Sequence, residues 1–263
     1  MGMKVHVTGA GGFVGRHLVP ALARAGHELL PAPSGAEAVV HLAAIAHRHA
    51  SRAELDEVNV RLAARVGREA AAHGARLVFL SSVKVHGEES RAPFTERSPI
   101  APQDAYAVSK VRAEDLLGAI PRLRLAVLRP PLVYGPGVKA NFLALMAAIA
   151  RGWPLPLGAI ANRRSLIYVG NLVDAIVRCL GGAEGTYLLS DGEPVSTPAL
   201  CRELGAALGR PARLVTFPSA LLPRKLAASL EVDDSAIRDR LGWRPPYPRE
   251  QGLRATAEWY RAR

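Results

Sequence analysis

The chain has 263 residues, enough for one large domain or a main domain with a smaller lobe, and its 49% hydrophobic content can fill a sizeable core. The net charge is +11, but the basic residues are scattered and no run of four or more occurs. That argues against a nucleic-acid partner and for an arginine-rich composition with some arginines serving an anionic substrate.

Lys4–Thr8, "KVHVT", reads as a strand that the chain start "MGMKVHVTGAGG" enters with no signal peptide, and the glycine turn behind it opens a helix from Phe13 to Ala25. Strands then alternate with helices: "HELL", "AEAVVHLA", "RLVFLSS" and "RLAVLRP", with helices near Arg52–His73 and Ala105–Ala119. Apolar, β-branched strands separated by amphipathic helices imply a parallel sheet covered on both faces. After Arg129 the pattern changes to a helix over Asn141–Arg151, stopped by Pro154 and Pro156, then "SLIYV", "NLVDAIVRCL", "TYLLSD", a helix from Thr197 to Leu208 and "ARLVTFP". The tail reads as two short helices around a proline-rich turn. Residues 1–135 are expected to bind a dinucleotide, with a return segment near 165–180, and 136–263 to form mainly a substrate lobe. The apolar run "FLALMAAIA" is too short to cross a bilayer, so a soluble, cytoplasmic protein is expected. Cys179 and Cys201 show no pairing pattern and read as buried apolar residues in a reducing compartment.

"TGAGGFVG" places Gly9, Gly12 and Gly15 behind a strand and before a helix. Gly9 permits the tight turn, Gly12 lets the backbone approach a pyrophosphate, and Gly15 lets the helix pack against the sheet. The helix start, including Phe13 and Val14, then offers N–H groups and a positive dipole end to the phosphates. A glycine triplet alone is weak evidence; in strand–turn–helix context it predicts NAD or NADP. Three further signals fall at the ligand-binding edge of such a sheet: "SSVKVHGE" (81–88), "YAVSK" (106–110) and "LRPPLVYGPG" (128–137). Tyr106 and Lys110 stand at i and i+4 on one helix face. A free tyrosine titrates near ~10, and a nearby ammonium together with an oxidised nicotinamide would lower that toward neutral pH. Lys110 could also hold the nicotinamide ribose, and Ser82 could share the substrate oxygen with Tyr106. A tyrosine and lysine at this spacing are ordinary by themselves; the glycine loop and serine strand in the same order give them a function.

These motifs, with "VVHLAA", Asn59 in "VNV" and the terminal "LGWRP", resemble the extended short-chain dehydrogenases/reductases of the NAD-dependent epimerase/dehydratase family. The resemblance spans nearly the whole chain. It implies a Rossmann-type doubly wound parallel sheet with a smaller C-terminal α/β substrate lobe. Within that group, "RPPLVYGPGVKANF", "PLPLGAIANRRSLIYVGNLVDAI" and "LLSDGEPVSTPAL" resemble proteins acting on UDP-N-acetylhexosamine derivatives in surface-polysaccharide synthesis, as 4-epimerases or as reductases of 4-keto-6-deoxy sugars. By that resemblance Ser82, Tyr106 and Lys110 match catalytic positions. The cofactor would be held by Gly9, Gly12, Phe13, Val14, Gly15, Leu42, Ala43, Ala44, Asn59, Ser81, Tyr106 and Lys110. Asn141 and Arg164 match positions that bind the nucleotide diphosphate, for which a guanidinium is suited. Lys84 is open between substrate contact and solvated loop. No metal is implied, and a homodimer through two long helices is the family's default.

Two departures stand out. Many relatives carry an Asn three residues after the arginine of "LR"; this chain has Leu132 there, and the narrower reductase-like set also lacks the Asn. Relatives also place a helix and a further strand between the second strand and "VVHLAA", where this chain has only "PAPSGAEA". Glu28 lies nineteen positions after Gly9, near the ~20 at which a ribose-binding acid is expected. It falls at the start of its strand, however, and the far end is Pro31, Ala32 and Pro33, so it is not assigned to the cofactor. The expectation is hydride transfer at C4 of a UDP-sugar with a trimmed adenosine site, which favours a reductase exchanging NAD(P) over a UDP-glucose- or UDP-N-acetylglucosamine-type 4-epimerase that retains NAD. A reading of another class is a non-catalytic NAD(P) or nucleotide-sugar sensor, for which the intact Ser82, Tyr106 and Lys110 set would have no use.

Overall fold

A computed structural model describes residues 2–46, 50–218 and 221–263. Six parallel strands form the main sheet: β1 (Lys4–Thr8), β2 (Glu28–Leu30), β3 (Ala38–His41), β4 (Arg76–Leu80), β5 (Arg124–Arg129) and, once β6 and β7 have been passed, β8 (Gly185–Leu188). Their spatial order is β2-β1-β3-β4-β5-β8. β6 (Leu132–Tyr134) and β7 (Leu166–Tyr168) pair separately, in parallel.

Side-chain alternation sends β1 and β3 residues to opposite faces. Val5, Ala38 and Val40 pack with Leu18 and Leu22 of α1 (Phe13–Arg24) and with Leu172, Ile176 and Cys179 of α6 (Val169–Leu180). On the other face, Val39, Leu77 and Phe79 pack with Ala63, Val66 and Ala70 of α3 (Leu62–Ala72) and Leu117 of α4 (Ala105–Gly118). α3 continues a helical run begun by α2 (Arg52–Leu55), whose start Ser51 and Glu54 close as a reciprocal capping box. Each large apolar side chain buried this way contributes about 1.5–3 kcal/mol. A third core joins Tyr134 of β6 and Phe142, Met146 and Ile149 of α5 (Ala140–Arg151) to Leu200 and Leu204 of α7 (Thr197–Leu208) and Leu253 of α10 (Arg249–Arg261). Cys179 and Cys201 are free and buried, and burial pushes their thiols up to about 12 and about 11. α8 (Arg224–Ala227) and α9 (Ser235–Leu241) lie between α7 and α10. "ARLVTFP" makes only an isolated bridge, Leu214 to Leu155, in place of a strand.

The abbreviated stretch solves a geometric problem. A parallel crossover ordinarily needs a dozen or more residues, because the chain must return to the far end of the sheet. Here β2 is three residues long, Leu30 pairs with His6, and β3 begins at Ala38 opposite Val5. The return therefore drops by one residue's rise, ~3.3 Å, and steps sideways by two strand spacings, ~10 Å. Pro31–Glu37 covers this beneath β1, on the α3 face, with His6 Nδ1 against the Leu30 carbonyl at 3.0 Å and Ala36 buried beside Val39 and Ala63. Glu37 closes the step, its amide donating to Lys4 O at 2.8 Å and its carboxylate accepting from Lys4 N at 2.8 Å.

Candidate functional site

Five chain segments converge at the C-terminal ends of the strands. The first is the glycine turn. Gly9 has φ +73°, and a Cβ there would stand 2.7 Å from Ala43 N, so only glycine allows this turn to lie against Leu42 and Ala43. A Cβ on Gly15 would stand 2.4 Å from Gly9 O. At Gly12, by contrast, a Cβ would meet only Gly9 O, at 3.1 Å, and at Gly11 nothing within 4 Å. The helix start has no side-chain cap and no acidic residue in its first turn. An open backbone cradle with uncapped N–H groups fits a dinucleotide pyrophosphate. Val14 packs toward the sheet core, and Phe13 stacks edge-on with His17 at 5.9 Å and abuts Gly137. Their side chains therefore fix the helix and leave its backbone to a ligand.

At the end of β3, Leu42, Ala43 and Ala44 are half-buried beside that turn. Behind them the His41 ring is buried, stacked on Phe79 at 5.8 Å and bonded through Nδ1 to Thr8 Oγ1 at 2.7 Å. Its Nε2 has no partner among the described residues. Burial first, and then the neighbouring Lys110 and His6, push His41 down to about 3. Asn59 lies in a wide π-turn, Asp56–Arg61, between α2 and α3. Its amide is fully committed: Oδ1 accepts from Ile45 N at 2.8 Å, and Nδ2 donates to Ile45 O at 3.1 Å and Ser109 Oγ at 2.9 Å. Asn59 thus holds the loop after Ala44 against α4.

The serine strand and α4 meet next. Ser82 caps a short turn, Val83–Val85, accepting from Lys84 N at 3.2 Å. That turn packs on α4, and Lys84 pairs with Asp104, whose carboxylate caps α4 by accepting from Ala107 N at 2.7 Å. Ser82 and Tyr106 are thereby held at one junction. Lys110 is buried, donates to Leu80 O at 2.8 Å, and lies over the rings of Phe79 at 4.7 Å and Tyr106 at 5.9 Å. Burial pushes the Lys110 ammonium down to about 8. The Tyr106 phenol is shifted up, by burial first and by the Asp104 carboxylate second. This reverses the shift expected from the i, i+4 pairing with Lys110. Burial is the main reason, joined by the Asp104 carboxylate, while the Lys110 ammonium is committed to the Leu80 carbonyl.

Ser81 occupies a different network. Its hydroxyl donates to Glu114, which pairs with Arg129, and Arg129 Nη1 meets His86 Nε2 at 3.0 Å. His86 Nδ1 lies 3.1 Å from the Pro99 carbonyl. The Ser81 side chain therefore joins β4 to α4 and β5, leaving only its backbone toward a cofactor. Sequence reading missed Glu114 and Asp104; the Asp before "AYAVSK" is a helix N-cap signal that was available.

On the substrate side, Arg164 Nη1 donates to Lys225 O at 3.2 Å and Ala228 O at 3.1 Å, and burial lowers its pKa. Asn141 is exposed in the first turn of α5, just after Ala140 at φ +53°. Lys84 resolves into an ion-pair chain, meeting Glu88 at 3.1 Å as well as Asp104, while Glu88 also pairs with Lys225 at 2.7 Å and Glu89 with Arg224. These pairs fasten α8 over the serine loop beside a cleft of about 230 Å³ lined by Glu88, Gln103, Lys225 and Ala228. Leu132, the departure from the family pattern, stands 42% exposed. A second cleft, about 370 Å³, opens between Glu37, His73, Arg76 and Arg124, at the opposite end of the sheet from all of these groups. Among the described residues no His, Cys, Asp and Glu cluster could hold a metal ion, and no helix is long and apolar enough to cross a membrane.

Comparison with known proteins agrees with this geometry. The model of the NAD dependent epimerase/dehydratase family matches residues 30–187. A UDP-glucose 4-epimerase of Vibrio cholerae is 38% identical over 247 residues, covering 84% of this chain and 75% of its own. A GDP-6-deoxy-D-mannose reductase of Pseudomonas aeruginosa is 28% identical over 298 residues, covering 98% of each. The solved structure of RMD from Pseudomonas aeruginosa complexed with NADPH superposes with a TM-score of 0.84 at 25% identity, over 99% of both chains. The WbmG enzyme of Bordetella bronchiseptica, solved with NAD and UDP, shares the fold at a TM-score of 0.84 and 20% identity, over 100% of this chain and 95% of its own. With the glycine cradle and the Ser82, Tyr106 and Lys110 junction on this sheet, the chain belongs to the NAD dependent epimerase/dehydratase family of NAD(P)-dependent short-chain dehydrogenases/reductases.

Proposed function

We propose that the protein transfers hydride at C4 of a UDP-sugar, in the direction that reduces a UDP-4-keto-6-deoxy-N-acetylhexosamine for surface-polysaccharide synthesis. One observation carries this reading: Ser82 and Tyr106 flank a junction made by the Lys84–Asp104 pair, with the buried Lys110 over the Tyr106 ring and bonded to Leu80 O. The nicotinamide, when bound, supplies or accepts the hydride. Tyr106 gives its phenolic proton to the C4 oxygen in reduction, and its raised pKa keeps that proton in place until needed. Ser82 holds the same oxygen. Lys110 holds the ribose hydroxyls and supplies the positive charge that stabilises the phenolate left behind. Asn141 and the free nitrogens of Arg164 bind the diphosphate. Residues 1–135, with the return segment near 165–180, hold the cofactor, and 136–263 hold mainly the substrate.

The epimerase direction is favoured by a different observation, the 38% identity to a UDP-glucose 4-epimerase. Denaturing the purified protein separates the two. No released nucleotide, together with oxidation of added NADH or NADPH by a UDP-4-keto sugar, supports the reductase; stoichiometric NAD in the supernatant supports the epimerase. Loss of both, with no cofactor bound at millimolar concentration, overturns the enzymatic reading. Tyr106→Phe should lower turnover by at least ~10²-fold, the usual contribution of a positioned acid, with cofactor affinity nearly unchanged. A homodimer forms through α4, whose Val108 and Leu116 are exposed at 43% and 44%.

A further inference from the structure

The end of the sheet opposite the glycine turn carries charge that the fold leaves unpaired. Arg76 begins β4 and Arg124 begins β5, and the two are direct partners across the parallel ladder. Side chains alternate along a strand, and two residues further on Val78 and Ala126 enter the core shared with α1 and α6. Both arginine side chains therefore leave the sheet on that face, from strands ~4.8 Å apart. Like charges placed directly opposite one another in a sheet repel. No carboxylate pairs with either arginine among the described residues.

Arg124 spends one nitrogen, donating from Nη2 to the Gly74 carbonyl. The Arg76 side chain has no hydrogen-bond partner among the described residues: its Nε is buried and unpartnered, and its Nη1 borders Gly182, where a Cβ would stand 3.2 Å away. Both arginines line the cleft of about 370 Å³, together with His73 and with Gly35, Ala36 and Glu37 of the abbreviated link. The short crossover between β2 and β3 thus builds one wall of the cleft. Among the described lining residues Glu37 alone brings a carboxylate, and that group already accepts from Lys4 N at 2.8 Å. His73 adds a ring N–H. The volume falls within the roughly 300–1,000 Å³ of small-molecule sites.

We propose that this cleft is a second ligand site, distinct from the glycine cradle and from the junction of Ser82 and Tyr106, and that it binds a phosphorylated small molecule through Arg76 and Arg124. A phosphate group carries about 1.5 to 2 negative charges at neutral pH, which matches two guanidiniums. Its oxygens accept from the planar forks of both. Binding gives the unspent nitrogens of Arg76 a partner and cancels the repulsion between the two side chains. The site stands at the N-terminal ends of the strands, so it is independent of which way hydride moves at the other end.

Calorimetric titration with inorganic phosphate, in a low-salt buffer free of other phosphate, tests this without turnover. The parent should bind with a Kd of about 1 mM or tighter, and more weakly as salt rises. Arg76→Met, which keeps the apolar stem and removes the charge, should weaken binding at least about tenfold, and so should Arg124→Gln. Gly12→Ala alters the glycine cradle and should leave this binding within about twofold, which tells the cleft from phosphate held at the cradle. Phosphate should raise the melting temperature of the parent and not that of Arg76→Met; if Arg76→Met does not fold, Arg124→Gln decides. Ribose 5-phosphate should bind at least as tightly as inorganic phosphate, because the cleft has room beyond the anion. Absence of phosphate binding to the parent, binding undiminished in the folded arginine variants, loss of binding in Gly12→Ala alone, or ribose 5-phosphate binding tenfold more weakly than phosphate would each overturn the proposal.

Discussion

Tyr106 and Lys110 illustrate how burial and charge compete at single residues. The ammonium loses hydration, so its pKa falls to about 8, and the phenol loses hydration beside Asp104, so its pKa rises. Each shift favours the neutral form, which suits a tyrosine that must carry a proton before delivering it. Gly12 isolates the cradle from the fold. Its φ of −75° is ordinary and a Cβ would touch only Gly9 O, so Gly12→Ala should melt within a few degrees of the parent yet bind NADP+ or NAD+ at least about tenfold more weakly, since the added methyl stands where the pyrophosphate approaches. Unchanged affinity by titration would remove the pyrophosphate from this turn. His41 makes a pH prediction. Its folded pKa, about 3, lies below its ordinary 6.5, so the unfolded chain binds the extra proton between those values. Stability from neutral His41 is therefore complete above pH 6.5 and is lost as pH falls toward 3, at up to about 1.4 kcal/mol per pH unit. His41→Phe keeps the stack on Phe79 and should flatten the acid side of a urea-denaturation pH series; an equally steep decline would mean His41 is not the group titrating.

At the scale of elements, buried polar side chains splice segments that are distant in sequence. Asp191 accepts from Tyr134 Oη at 2.8 Å, Tyr168 N at 2.9 Å and Asn171 Nδ2 at 2.7 Å, and Asn171 Nδ2 donates to Tyr247 O at 2.8 Å. One carboxylate thus joins the "YGPG" loop, β7, α6 and the turn before α10. Asp191→Ala strands three donors and should cost about 2–4 kcal/mol in chemical denaturation, with Asp191→Asn costing less; a loss under 1 kcal/mol would show the donors finding other partners. Asn59 does similar work for the loop after Ala44. Motif reading marked Asn59 and Ser81 by their place in a pattern. What each side chain bonds depends on neighbours 14 to 50 residues away, as Asn59 with Ile45 and Ser109 makes plain, and spacing does not encode that.

The whole molecule is a doubly wound sheet made compact by omission. A helix and a strand can be absent between β2 and β3 because β2 is short and low in the sheet, so the crossover has little distance to cover. The edge left behind is blunted by Pro31 and Pro33, which cannot donate to another strand. Assembly should use α4 instead: Val108→Glu with Leu116→Glu should halve the solution mass seen by sedimentation, and retention of the parent mass would put any interface elsewhere.

The sequence by itself determined the order of strands and helices and the glycine turn, because these rest on periodicity and short-range backbone rules that local residues satisfy alone. It also determined that no acid closes the end of β2. Only the tertiary structure decided that burial and Asp104 raise the Tyr106 pKa, and that the Ser81 hydroxyl and the Asn59 amide are spent on the scaffold. Those outcomes depend on desolvation and on partners brought together by the sheet, and neither is a property of a residue's neighbours along the chain.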